Sequence, residues 1–66
     1  MNVQTSQIRE DLKRKADTLH EHAQLAGDAG AYDEAAELYE EARYYTPAYK
    51  CRQAAQRLRE AGQGNA

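Results

Sequence analysis

Apolar residues recur at helical spacing in three stretches of the chain, and no stretch alternates apolar and polar positions as a half-buried strand does. The first stretch opens at Thr5 and Ser6, either of which can cap a helix, and reaches Gly27 without an internal glycine or proline. Its apolar positions, spaced three or four residues apart, are Ile8, Leu12, Ala16, Leu19, Ala23 and Ala26. This spacing predicts a helix over residues 6–27.

Two further stretches follow, each after a turn signal. Gly27 or Gly30 is expected to take the left-handed conformation that ends a helix. The next stripe holds Ala35, Leu38, Tyr39, Ala42 and Tyr45, and the last holds Ala48, Cys51, Ala55 and Leu58. Thr46 precedes Pro47, and proline suits the first position of a new helix capped by threonine. The pattern predicts helices over 32–45 and 47–61, with a disordered tail at 63–66.

The expected fold is all-α: a small three-helix antiparallel bundle forming one domain over residues 1–62. Turns this short make neighbouring helices antiparallel. Thirteen of the 66 residues are alanine, so the helices can approach closely but bury little apolar surface. A chain this short buries only about 60% of its unfolded surface. We therefore expect help from a partner or from self-association.

The stretch from Gly30 to Pro47 resembles the second half of a tetratricopeptide repeat. The residues at the offsets of that family are Gly30, Tyr32, Ala35, Tyr39, Ala42 and Pro47, and the likeness extends over residues 16–47. The same hairpin is also similar to the microtubule-interacting and trafficking domain, a three-helix bundle. Both resemblances imply a helical hairpin followed by a third helix, and both imply protein–peptide binding rather than catalysis.

Charge is divided by segment although the net charge is only −2. Residues 1–27 balance four basic residues against four acids, residues 28–45 hold six acids against Arg43, and residues 46–66 hold four basic residues against Glu60. Two interpretations stay open: neighbouring helices carry complementary faces, or the charges steer a partner.

The five tyrosines all lie between positions 32 and 49. Tyr44, Tyr45 and Tyr49 crowd the joint between the second and third helices, and tyrosine is favoured at interfaces for its apolar body and polar tip. Lys50 and Arg52 flank them and can engage an acidic peptide. We predict that these five residues form a partner-binding surface, with packing of the corner as the alternative.

The first predicted helix is long for a helix of a tetratricopeptide repeat. Its heptad-spaced positions are Thr5, Ile8, Leu12, Lys15, Leu19, His22 and Ala26. Ile8, Leu12 and Leu19 are therefore predicted to pair two chains as a homodimer. Alternatively, the extra turns cover the other two helices.

Catalysis, metal binding and a cofactor are not expected. His20 and His22 are two residues apart, so their side chains diverge on a helix, and we expect His22 to be the partly buried one. Cys51, the single cysteine, lies on an apolar stripe and is expected to be a packed, reduced thiol. No apolar run approaches the roughly 18 residues of a membrane span, and no secretory signal is recognisable. A cytoplasmic protein is expected.

The leading functional hypothesis is a small helical adaptor or regulator that binds a protein or peptide partner and self-associates. The alternative is a nucleic-acid-associated regulator that contacts phosphates through the basic third helix. The cations available for that role are Lys50, Arg52, Arg57 and Arg59.

Overall fold

The computed structural model describes the backbone of residues 2–64 and the side chains of residues 7–62. Three helices follow one another: α1 (Asn2–Ala26), α2 (Ala29–Glu41) and α3 (Tyr45–Gly64). The predicted all-α, three-helix fold is confirmed, and no strand occurs within the described residues. The central helix α2 packs against α1 on one side and α3 on the other, whereas α1 and α3 barely meet.

The helix ends differ from those expected. α1 begins at Asn2, so Thr5 and Ser6 lie inside the helix rather than capping it, because no glycine or proline interrupts the preceding residues. The side chains of both lie outside the described residues. α3 extends to Gly64, two residues into the tail predicted to be disordered, and residues 65–66 lie outside the described range.

Gly27 and Asp28 join α1 to α2: the first ends α1 and the second caps α2. Gly27 adopts φ 61°, which lets the Asp28 N–H donate to the Ala23 carbonyl at 3.2 Å and close the end of α1. Asp28 then caps α2, its carboxylate accepting from the Ala31 N–H at 3.2 Å. The prediction of a left-handed glycine here is confirmed at Gly27, whereas Gly30 lies within α2.

The α2–α3 connection ends α2 in the same way, but with an arginine in the strained position. Arg43 adopts φ 67°. Its N–H donates to the Glu40 carbonyl at 3.0 Å, and the Tyr44 N–H donates to the Tyr39 carbonyl at 2.8 Å, which is the Schellman pattern. A left-handed backbone conformation costs free energy in a residue that has a Cβ atom.

The expected joint at Thr46–Pro47 is wrong. α3 begins two residues earlier, at Tyr45, and the Tyr44 carbonyl accepts from the Ala48 N–H at 3.3 Å. Pro47 fits inside the first turn because the first four N–H groups of a helix have no partner within it. Tyr45 therefore belongs to α3 and does not complete the apolar stripe of α2.

Alanine dominates the core. Among residues 7–62, the buried apolar residues are Ala16, Ala23, Ala31, Ala35, Ala36, Tyr39, Ala42, Ala48, Cys51 and Ala55. Tyr39 is the largest of them, at 3% exposure. The predicted stripe of α3 is confirmed, with Leu58 half-buried beside three buried members. Leu12 and Leu19 of α1 are half-buried, whereas Ile8 and Ala26 are exposed.

We expect Arg43→Gly to stabilise the protein by about 0.5–1 kcal/mol, because glycine reaches the left-handed region without a steric cost. Urea unfolding followed by far-UV circular dichroism measures this difference. Arg43→Ala is the matched control, since it removes the same side chain but keeps a Cβ. Equal stabilities of the two variants would contradict the backbone argument.

We expect Ala35→Leu to destabilise the fold by about 1–3 kcal/mol, because Ala35 is fully buried and a larger side chain must push the helices apart. The same unfolding titration measures it. The control is Ala61→Leu, which adds the same atoms at an exposed position of α3. A loss no larger than that of the control would show that the interface tolerates wider spacing.

Candidate functional site

Two aromatic side chains stand out on the surface of α3. Tyr45 is 63% exposed and Tyr49 is 62% exposed, and as residues four apart they lie one helical turn from each other. The Gln53 side-chain amide donates to the Tyr49 hydroxyl at 2.7 Å. The polar tip of Tyr49 is thereby oriented while its ring stays open to solvent. We call Tyr45, Tyr49 and the exposed Lys50 the tyrosine surface.

Tyr44 does not share this exposure. It is half-buried against the core, with the Arg9 guanidinium 5.2 Å and the Lys13 ammonium 5.9 Å from its ring centroid. These distances lie within the range of cation–π interactions. The Arg9 Nε also donates to the Ala42 carbonyl at 2.9 Å, at the end of α2. Tyr44 thus forms part of the contact between α1 and the α2–α3 connection.

Arg52 is likewise engaged within the chain. Its guanidinium donates to both carboxylate oxygens of Glu40, at 2.9 and 2.8 Å, and this bond lowers the pKa of Glu40. Arg59 pairs with Asp33 at 2.5 Å. Both pairs join α3 to α2, which confirms that adjacent helices carry complementary charge. All four side chains keep solvent contact, so each pair contributes modestly to stability.

The residues predicted for self-association follow one edge of α1, but they differ in burial. Ile8 is 58% exposed, whereas Leu12 and Leu19 are half-buried. A groove of about 580 Å³ runs between α1 and α2 at this edge and is open to solvent. Its lining residues are Asp11, Arg14, Lys15, Thr18, Leu19 and Leu38.

A polar cluster lies along α1 that the pattern of apolar positions does not indicate. The Tyr39 hydroxyl donates to Asp17, which also accepts from Lys13 at 3.0 Å. The bond from Tyr39, more than that from Lys13, lowers the pKa of Asp17, and burial of the ring raises the pKa of Tyr39. The spacing of Lys13 and Asp17, one turn apart beside buried Ala16, is the signal that could have indicated it.

The histidines are placed opposite to the expectation. His20 is half-buried, its ring centroid 5.8 Å from that of Tyr32 and 6.4 Å from that of Tyr39, whereas His22 is exposed. Position 20 falls between buried Ala16 and Ala23 on the inward face of α1, and position 22 does not. Within the described residues, no group of three His, Cys, Asp or Glu side chains could hold a metal ion.

Cys51 is fully buried, as expected, and burial raises the pKa of its thiol. Burial and a raised pKa both disfavour the reactive thiolate. Cys51 is therefore a packing residue of α3.

None of the three helices in the described range is long and apolar enough to cross a lipid bilayer. Comparison with protein-family models, with curated proteins and with solved structures finds no match for this chain. Functional assignment therefore depends on the surfaces of the molecule itself.

We expect Asp17→Asn to destabilise the protein by about 1 kcal/mol at neutral pH, since it weakens a charged hydrogen bond. The lowered pKa of Asp17 means that the folded state favours the ionised carboxylate. Its contribution is complete above the ordinary carboxylate pKa and is lost as pH falls through the lowered value. When the pH is lowered from neutral to below about 4, the free energy of unfolding should therefore fall less in the variant than in the wild type.

Urea titrations of both proteins at neutral and acid pH measure this difference. Asp11→Asn is the matched control, because Asp11 lies on the same helix and only approaches Arg14 at 4.0 Å. An unchanged acid dependence in Asp17→Asn would refute the role assigned to the Tyr39–Asp17 bond.

Proposed function

We propose that this chain is a small, non-catalytic helical module that binds another protein or peptide and also associates with itself. The observation that carries the proposal is the tyrosine surface, where two rings one turn apart stay exposed although the chain has few large apolar side chains to bury. Tyrosine is enriched at the energetic centres of protein interfaces because it provides contact area at low entropic cost.

A positive charge at the position that follows Tyr49 in α3 favours a partner with acidic groups. Lys50 is exposed next to Tyr49, and the ion pair of Arg52 with Glu40 borders the same side of α3. An acidic peptide can contact the rings with its apolar groups and Lys50 with a carboxylate. The resemblance of residues 16–47 to the tetratricopeptide repeat, and of the hairpin to the microtubule-interacting and trafficking domain, supports the same functional class.

Self-association is the second part of the proposal. Ile8 and the groove between α1 and α2 leave apolar surface uncovered in a chain whose own core is mostly alanine. We also propose a cytoplasmic site of action, because a single cysteine offers no disulfide framework of the kind that small secreted domains use.

The nucleic-acid alternative draws less support. Of the four basic residues considered for phosphate contact, Arg52 and Arg59 are held by carboxylates of α2. Phosphate binding would have to displace both acids or rely on Lys50 and Arg57. The pI near 5.6 also opposes attraction to a polyanion.

Affinity capture of the tagged protein from its native lysate, with and without nuclease, is the first test. We expect a stoichiometric protein that survives nuclease treatment. Binding of that protein should weaken about 30-fold or more in a Tyr45→Ala/Tyr49→Ala double variant, since loss of an interface centre costs about 2 kcal/mol or more.

The matched control is Leu25→Ala, which removes the 83% exposed Leu25 from α1, away from the tyrosine surface. Its affinity should equal that of the wild type. Recovery that disappears with nuclease, and that falls in an Arg57→Gln variant, would replace the proposal with the nucleic-acid alternative.

A further inference from the structure

The groove between α1 and α2 has an apolar floor and a charged rim. Leu19 and Leu38 are half-buried in it, and Asp11, Arg14 and Lys15 line it from α1. A single chain leaves it open. It therefore has room for an apolar side chain flanked by charges of both signs.

The largest exposed apolar side chain near this edge of α1 is Ile8. Arg9 bonds to the Ala42 carbonyl at the C-terminal end of α2, so the part of α1 before Arg9 extends beyond α2. Ile8 keeps 58% of its surface exposed to solvent. Ile8 and Leu19 are also about 16.5 Å apart along the same helix at 1.5 Å per residue, so Ile8 cannot reach the Leu19 end of the groove in its own chain.

We propose that Ile8 of a second copy fills the groove, in a two-fold symmetric pair whose α1 helices run antiparallel. The proposal rests on the self-association proposed above and specifies its geometry. Ile8 lies opposite the partner's Leu19, and Leu12 lies opposite the partner's Lys15. Each of these heptad positions of one α1 then lies opposite a heptad position of the other α1. The two-fold symmetry fills both grooves at once.

Charge favours the antiparallel direction over the parallel one. In the antiparallel register, Lys15 lies within one residue of the partner's Asp11, and symmetry repeats this attraction. In a parallel pair, Asp11 faces Asp11 and Lys15 faces Lys15, so both contacts repel. Asp11 is available for the new contact, since its approach to Arg14 is loose at 4.0 Å and both side chains are largely exposed.

Disulfide trapping tests the register directly. Single-cysteine chains carrying Ile8→Cys or Leu19→Cys are made in a Cys51→Ala background, which replaces the buried thiol with the residue that already fills the core. We expect each variant alone to oxidise poorly, and an equimolar mixture to form the mixed disulfide in high yield. Efficient homodisulfides from each variant alone, without the mixed product, would overturn the antiparallel groove.

A charge exchange provides a second test through exposed residues that leave the core intact. Asp11→Lys makes both rim positions positive, and Lys15→Glu makes both negative. We expect each variant alone to dimerise roughly tenfold more weakly than the wild type, and their mixture to regain about the wild-type affinity. A mixture that dimerises much more tightly than the wild type would indicate parallel pairing and overturn the proposal.

Sedimentation equilibrium of the unaltered protein separates the two levels of the proposal. We expect a reversible dimer. A monomer at the highest attainable concentration would overturn both self-association and the groove contact. A dimer that resists both charge variants and forms no mixed disulfide would overturn only the groove contact, because another face would then hold the copies together.

Discussion

Eight buried alanines lie where α2 meets α1 and α3, and they determine how closely the helices approach. A methyl group lets backbones come near, but it removes little apolar surface from water. The fold therefore combines close helix packing with a weak hydrophobic contribution for each contact. Among the described residues, Tyr39 is the largest buried side chain of this arrangement, and the partly buried Leu19, Tyr32, Leu38 and Tyr44 pack around the same core.

Close approach also explains why the polar interactions sit at the borders of the interfaces. Long side chains cannot enter an alanine interface, so they lie along its edges and reach across it. Asp17 meets the Tyr39 hydroxyl on one side of α2, and Arg52 meets Glu40 on the other. Water weakens each of these contacts, but the bidentate geometry of Arg52 on Glu40 favours one register of α3 against α2. The chain thereby gains a defined geometry without additional apolar volume.

The periodicity of the sequence was sufficient to predict the three helices and the inward face of α3, because Ala48, Cys51 and Ala55 repeat at helical spacing along that face. It misplaced the start of α3, since Pro47 is compatible with several positions in a first turn. It also placed His22 inward instead of His20, because small residues define the phase of α1 weakly. No sequence rule indicates a left-handed Arg43, since glycine or asparagine normally takes that position.

The sequence also predicted the candidate partner-binding surface only in part. The predicted five-residue cluster divides into two exposed tyrosines with Lys50, one inward-facing Tyr44 and one ion-paired Arg52. That division depends on the helix phase after Arg43, which the sequence did not indicate.

The central position of α2 has a further consequence for folding. Both principal interfaces join helices that are consecutive in the chain, so assembly requires no closure of long loops. Chains with such local contacts fold in microseconds to milliseconds.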